Sequence, residues 1–280
     1  MKILVTGGTG QLGSEVCREL YRRGTAFWAP DARKLDITDT KAAAEAVMSY
    51  GPDGLIHCAA WTAVDAAETQ PDRCMAVNAA GTANLAAACR AAGCRMLLVS
   101  TDYVFVGDRE GSYRPWDRPG PVNVYGESKL AGERAVRMLL DRFFIVRTAR
   151  LFGRGGHGFV NVMLDLGQER REVGVVSDQV GNPTCVMDLA PLLCDMISTD
   201  AYGVYHAANE GGCSWAELAE RAFAVAGRDV QVIRLRTEDY PLPARRPRNT
   251  RLDTRRLADA GFGLLPPWQD ALERCLKGYA

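Results

Sequence analysis

No apolar run in this 280-residue sequence is long enough to cross a bilayer. The first residues enter a β-branched segment directly, without the basic, apolar and small-residue succession of a leader. No membrane and no export are expected, and the chain reads as cytoplasmic. Neither sign of charge is in excess, with 34 Lys+Arg against 34 Asp+Glu. That balance removes the electrostatic case for nucleic acid or an acidic surface. Histidine is scarce: there are three, none at metal-ligand spacing from another. His57 falls inside an apolar strand and reads as core, His206 ends a short strand, and His157 lies in a Gly-rich loop. No C-x-x-C occurs, and the nine cysteines scatter through apolar runs. They read as reduced thiols packing like small hydrophobes, with no metal site.

What is present begins at Lys2. Ile3, Leu4 and Val5 form a short strand, Gly7, Gly8, Gly10 and Gly13 punctuate it, and Leu12, Val16, Leu20 and Tyr21 then recur at helical steps. Strand, glycine turn and helix are the context of a dinucleotide fingerprint. Gly7 permits the tight turn, Gly10 lets backbone approach a pyrophosphate, and Gly13 lets helix and strand pack closely. The helix N-terminus supplies free N–H groups and positive dipole to phosphate.

Downstream, strands at 26–29, 55–59, 96–100 and 143–146 alternate with helices at about 39–50, 71–92 and 124–141. Gly81 interrupts the second of these helices and Gly93 caps it. The alternation predicts an α/β fold with a doubly wound parallel, Rossmann-like sheet covered on both faces. Residues 1–152 read as the dinucleotide-binding domain. Residues 153–280 read as a smaller, intertwined region that binds mainly substrate. Within it Ser214 and Glu217 form a capping box, and the last helix runs from 268 to 277.

Two stretches carry chemistry. Tyr125 and Lys129 lie four apart on a helix and share a face. A lysine ammonium there favours phenolate and draws the tyrosine pKa toward the working range, so the pair can protonate a carbonyl oxygen as hydride reaches its carbon. Ser100 and Thr101 end the fourth strand, at the edge where doubly wound sheets bind ligands. Thr101 is the hydroxyl chosen to hydrogen-bond that carbonyl, with Ser100 as the alternative. Asp31, Arg33 and Lys34 follow the second strand. An acid there favours NAD through a ribose hydroxyl, and arginine accommodates a 2′-phosphate. The mixture points to NADPH with tolerance of NADH.

Together these pieces resemble the extended short-chain dehydrogenase/reductases, and within them the dTDP-4-dehydrorhamnose reductases. The resemblance rests on GGTGQLGSEV at 7–16, LDITD at 35–39, PDGLIHCAAWTAVDAAE at 52–68, STDYVF at 100–105, YGESKLAGE at 125–133 and RTARLFG at 147–153. It continues through VVSDQVGNPT at 175–184, GVYHAANEGGCSWAELA at 203–219 and RRPRNTRLDT at 245–254. It implies reduction of the 4-keto group of a dTDP-linked 4-keto-6-deoxysugar. Gly10, Gln11 and Leu12 would line the pyrophosphate, Asp36 and Ile37 would flank adenine, and Ala60, Trp61 and Thr62 would meet the cofactor backbone. Thr101, Tyr125 and Lys129 would be catalytic, Lys129 also holding the nicotinamide ribose, and Asp102 would touch the sugar.

Arg150 departs from the pattern, standing where the family commonly has a tryptophan of the sugar pocket. Either it meets substrate or it forms an ion pair in its loop. Arg246 or Arg248 would reach a diphosphate. Family members also use Mg²⁺ through glutamates at a homodimer contact. Glu15 matches one position and Glu273 is a candidate for another, but isolated surface glutamates are usually solvated. Two alternatives accompany this reading: reduction of a different nucleotide-linked 4-ketosugar, and a non-catalytic cofactor-binding subunit like the regulatory subunit of methionine adenosyltransferase.

Overall fold

A computed structural model describes residues 1–153 and 158–278; His157 lies outside the described residues. The first half runs β1 (Lys2–Thr6), α1 (Gln11–Arg22), β2 (Ala26–Trp28), α2 (Thr40–Tyr50), β3 (Gly54–His57), α3 (Val64–Thr69), α4 (Pro71–Met75), α5 (Thr82–Ala92), β4 (Arg95–Thr101), α6 (Val124–Leu139) and β5 (Phe143–Thr148). It continues with β6 (Leu151–Phe152), α7 (Phe159–Glu169), β7 (Glu172–Val176), β8 (Val180–Gly181), β9 (Thr184–Cys185), α8 (Val186–Met196), β10 (Gly203–His206), β11 (Asn209–Glu210) and β12 (Cys213–Ser214). Last come α9 (Trp215–Val225), β13 (Gln231–Leu235), α10 (Arg255–Asp259), β14 (Leu265–Pro267) and α11 (Trp268–Lys277).

Six strands form the central sheet in the order β10-β5-β4-β3-β1-β2, every neighbouring pair parallel. Chain direction across the sheet reverses between β1 and β3, which opens a crevice at their carboxyl ends. Apolar side chains leave each strand on alternate faces. Ile3, Val5 and Ile56 meet Leu12, Val16 and Leu20 of α1 and Leu189, Leu193 and Met196 of α8. Leu4, Leu55, Met96 and Leu98 meet Val47, Leu85 and Val136 of α2, α5 and α6. Burial on both faces explains why these strands show no polar alternation.

Local signals set the helix ends. The Asp39 carboxylate accepts from the N–H groups of Lys41 and Ala42, and Gly51 ends α2 in the left-handed region. The Asn123 side chain caps α6 by accepting from Gly126. The predicted capping box is present at α9. The single helix expected over 71–92 is instead α4, a π-helical stretch Ala76–Gly81 and α5. Gly81 does not break it. A Cβ there would meet the Ile37 side chain at 2.8 Å, so glycine lets the helix pack on the loop after β2.

The C-terminal half is divided in space. β7 and β13 pair in parallel, and α7 and α9 cover them around Met163, Val173, Val175 and Phe223. β10 and α8, from the same half, return to the central sheet.

Two histidines are built into this framework. His57 lies between Thr6 Oγ1 at 2.6 Å and Thr82 Oγ1 at 3.0 Å, bridging β1, β3 and α5. His206 meets the Tyr113 carbonyl at 3.0 Å. Burial, with Lys129 facing one ring and Arg147 the other, pushes each pKa down to about 3. Below pH 6.5 the unfolded chain takes up two protons that the folded chain refuses, so stability falls as pH falls. The expected slope is about 1.4 kcal/mol per pH unit for each ring. Denaturant titrations at pH 6 and pH 5 measure it, and replacing either histidine with Gln should remove its share.

Candidate active site

The glycine loop is set by close approach. Gly7 has φ +72°, and a Cβ there would fall 2.5 Å from the backbone nitrogen of Ala59. A Cβ on Gly13 would fall 2.1 Å from the Gly7 carbonyl oxygen. Gly10 stands at the start of α1 and, having no side chain, contributes no capping hydrogen bond to it. Gly10 itself is exposed. An uncapped helix start behind a Cβ-free approach fits a pyrophosphate.

The remaining cofactor candidates ring this loop. Asp31 accepts from the N–H groups of Arg33 and Lys34 at 3.0 and 3.1 Å, which ties its carboxylate into its own turn. Arg33 and Lys34 are exposed. Asp36 also serves its own backbone, accepting from Thr38 N–H and Oγ1, which holds its pKa down. Ile37 is buried against Gly81. Ala60, Trp61 and Thr62 leave β3, and Asn78 fixes them: Trp61 N–H donates to its Oδ1 at 2.8 Å, and its Nδ2 donates to the Trp61 carbonyl at 3.0 Å. Asn78 Nδ2 also donates to Ser128 Oγ at 2.9 Å, linking this loop to α6.

Tyr125 and Lys129 share one face of α6 and lean on the carboxyl ends of β3 and β4. Lys129 is 3% exposed, and its ammonium donates to the Val99 carbonyl at 2.9 Å. Burial lowers its pKa to about 8, against the pull of Glu133. Burial raises the Tyr125 phenol well above its usual value, while a hydrogen bond with Thr101 pulls the other way. This corrects the expectation that Lys129 draws the phenol toward neutrality. The ammonium is anchored on a β4 carbonyl, and desolvation dominates the phenol. The consequence is a phenol that keeps its proton at neutral pH.

The two strand-end hydroxyls have different partners. Ser100 Oγ donates to Glu133 Oε1 at 2.6 Å. That carboxylate is held from the other side by Arg147, whose Nε and Nη2 donate at 2.8 and 2.7 Å. Thr101 is the hydroxyl that reaches Tyr125. It also donates to Asp102 Oδ1 at 3.0 Å. Asp102 is buried, its Oδ2 has no hydrogen-bond partner among the described residues, and its pKa is raised by that burial.

Arg150 is held by carbonyls. Its Nη1 donates to Cys213 O and its Nη2 to Gln179 O, both at 2.8 Å. Its guanidinium lies 4.1 Å over the Trp215 ring. Among the described residues it makes no ion pair, so the expected loop salt bridge is not what fixes it. Its backbone is left-handed, φ +46°. Trp215, which sequence reasoning did not single out, is thereby clamped between Arg150 and Phe159. It lines a cavity of about 660 Å³ that starts at Tyr103 and extends to Tyr240, Leu242 and Arg248. Tyr103 packs edge-on against Tyr125 at 5.8 Å, so the cavity adjoins the reactive phenol.

Two other candidates are differently engaged. Arg246 pairs with Asp65 at 2.8 Å, whereas the Arg248 side chain is exposed along the cavity. Glu15 pairs with Arg18, and Glu273 pairs with Arg221 and Lys277, so both glutamates proposed for Mg²⁺ face cations. Among the described residues no group of three His, Cys, Asp or Glu is arranged to hold a metal, and no helix is long and apolar enough to cross a membrane.

Comparison with known proteins agrees with this geometry. The family model described as RmlD substrate binding domain matches residues 1–280. The chain is 45% identical over 276 residues to a dTDP-4-dehydrorhamnose reductase of Streptomyces griseus, covering 96% of this chain and 91% of that protein. It is 42% identical over 286 residues to a dTDP-4-dehydrorhamnose reductase of Mycobacterium tuberculosis, covering 100% and 93%. The crystal structure of the Bacillus anthracis dTDP-4-dehydrorhamnose reductase in complex with NADP superposes with a TM-score of 0.97 at 40% identity, over 99% of each chain. The chain belongs to the RmlD substrate binding domain family.

Proposed function

We propose that this protein reduces the 4-keto group of dTDP-4-dehydro-6-deoxy-L-mannose with NADPH, giving dTDP-L-rhamnose. One observation carries the reading. Thr101, Tyr125 and Lys129 converge at the carboxyl edge of the sheet, between an uncapped glycine-loop helix and a nucleotide-sized cavity. The nicotinamide, when bound, supplies a hydride to C4. The chain supplies the rest. Thr101 orients the carbonyl oxygen, Tyr125 gives that oxygen its proton, and the Lys129 ammonium holds the nicotinamide ribose. Asp102, beside Thr101, meets a sugar hydroxyl. Gly7, Gly10 and Gly13 shape the pyrophosphate site, with Gln11 and Leu12 lining it.

Asp31 is occupied by its own turn, and Arg33 and Lys34 are exposed beside it. That arrangement supports a 2′-phosphate and hence NADPH over NADH. Of the two arginines expected to reach the diphosphate, Arg248 is the one that supports the reading; the Asp65 ion pair favours a structural role for Arg246. A homodimer in the cytoplasm remains part of the proposal, read by sedimentation of the purified chain.

The test is NADPH oxidation with dTDP-, UDP- and GDP-linked 4-ketosugars supplied in parallel. Binding of NADPH without turnover of any dTDP-4-keto-6-deoxysugar would sink the reading and favour a regulatory subunit. A second reading, a different 4-ketosugar, rests on Arg150. Its signature would be faster turnover of another member of the panel.

A pH profile follows from Lys129. A neutral lysine donates a weaker hydrogen bond to the ribose than an ammonium does, so kcat/KM for reduction should fall above about pH 8. Tyr125 stays protonated there and adds no limb of its own. A profile flat well beyond pH 8 would remove Lys129 from this role.

A further inference from the structure

Cys89 and Cys94 form a thiol pair that the proposed reaction does not use. Cys89 sits in the last turn of α5, and Gly93 ends that helix with φ +66°. Two backbone bonds close the end: Gly93 N–H donates to the Arg90 carbonyl at 3.3 Å, and Cys94 N–H donates to the Cys89 carbonyl at 3.0 Å. This pairing is the Schellman motif, which places the residue after the glycine against the residue five before it. In most proteins an apolar contact fills that spot; here it is filled by two sulfurs. The direct bond between the Cys94 nitrogen and the Cys89 carbonyl also keeps their Cα atoms within the span a disulfide bridges.

Both cysteines are buried, Cys89 at 0% and Cys94 at 4% exposure, beneath an opening in the surface. Cys89, Cys94, Arg90, Leu139 and Arg142 line an open cavity of about 310 Å³ between the ends of α5 and α6. The two sulfurs interact, which pushes the Cys89 thiol well above its usual pKa and draws that of Cys94 down. The Arg142 guanidinium, which donates to the Gly93 carbonyl at 3.1 Å, also favours the Cys94 thiolate, with Asp53 opposing. Burial weighs against it, but the interaction between the two sulfurs dominates.

We infer that Cys89 and Cys94 are a peroxide-sensitive dithiol that closes to a disulfide within the native fold. The Cys94 thiolate attacks one oxygen of a hydroperoxide, the O–O bond breaks, and alkoxide or hydroxide leaves and takes a proton from solvent, making a sulfenic acid. The Cys89 sulfur then attacks the Cys94 sulfur. The S–S bond forms and hydroxide leaves, taking up the Cys89 proton as water. Two thiols are oxidised and one peroxide is reduced. The bridge would tie the end of α5 to the start of β4, at the sheet edge opposite the glycine loop.

The experiment treats the native protein with hydrogen peroxide or diamide, then maps disulfides by mass spectrometry of non-reduced digests. The expected result is the loss of two of the nine thiols, a mass lower by two hydrogens, a Cys89–Cys94 cross-linked peptide and reversal by dithiothreitol. Cys89→Ser should trap Cys94 as a sulfenic acid that dimedone labels, and Cys94→Ser should lose that label. NADPH-dependent turnover, if present, should survive in both variants. Cys185 and Cys275 serve as internal comparison, since they too are in contact but lie inside the packing of α8 and α11. A native protein that keeps all its thiols, or that cross-links Cys185 to Cys275 instead, overturns the inference.

Discussion

Tyr125→Phe should lower kcat by about 10²- to 10⁴-fold, the share of a positioned general acid, while NADPH affinity stays nearly unchanged. The phenol is pushed by burial to hold its proton, and Thr101 is its hydrogen-bond partner. Removing one oxygen deletes the donor but leaves the ring, which packs edge-on against Tyr103. Fluorescence titration with NADPH and single-turnover rates separate the two quantities. Parallel loss of both would make Tyr125 a structural residue and leave the proton to another group.

The second large effect is on stability. Glu133 and Arg147 are both fully buried and joined by two bonds, with Ser100 donating to the same carboxylate. Arg147 spends its remaining reach on the Pro115 carbonyl and lies over the Phe105 ring. Glu133→Ala leaves a guanidinium without its counter-charge in the interior and should cost about 3–5 kcal/mol. The double replacement Glu133→Leu with Arg147→Met removes both charges and should recover much of that loss. Urea midpoints of the two variants decide it. A double variant no better than the single one would mean that the pair's other hydrogen bonds, not the charge, carry the effect.

The parts of this molecule legible in the sequence are those set by neighbours in the chain. The glycine loop, the Ser214–Glu217 capping box of α9, and the spacing of Tyr125 and Lys129 are local, and each stands where the sequence places it. Gly81 misled because a glycine in a helix reads as a break. Its reason is tertiary, the close passage of Ile37. The short α3 was missed because Val64–Thr69 has too few apolar positions to reveal a period. Thr101 is preferred to Ser100 in sequence without sight of their partners, since the Glu133 carboxylate that claims Ser100 is 33 residues away. Trp215 and Arg150 could not be joined by pattern alone, as they meet through loops distant in sequence. The phenol's raised pKa was likewise out of reach, because spacing on a helix says nothing about burial.

One feature of the sheet bears on how the chain can be made. β10 closes the outer edge of β5, and it is drawn from residues 203–206, far beyond the boundary at 152 that the sequence suggests. A polypeptide halted at that boundary would leave the row of amides and carbonyls along Phe144–Arg147 naked, backed by greasy side chains, and would tend to stick edge to edge with its copies. The ribosome must therefore release more than two hundred residues before this edge of the sheet is covered.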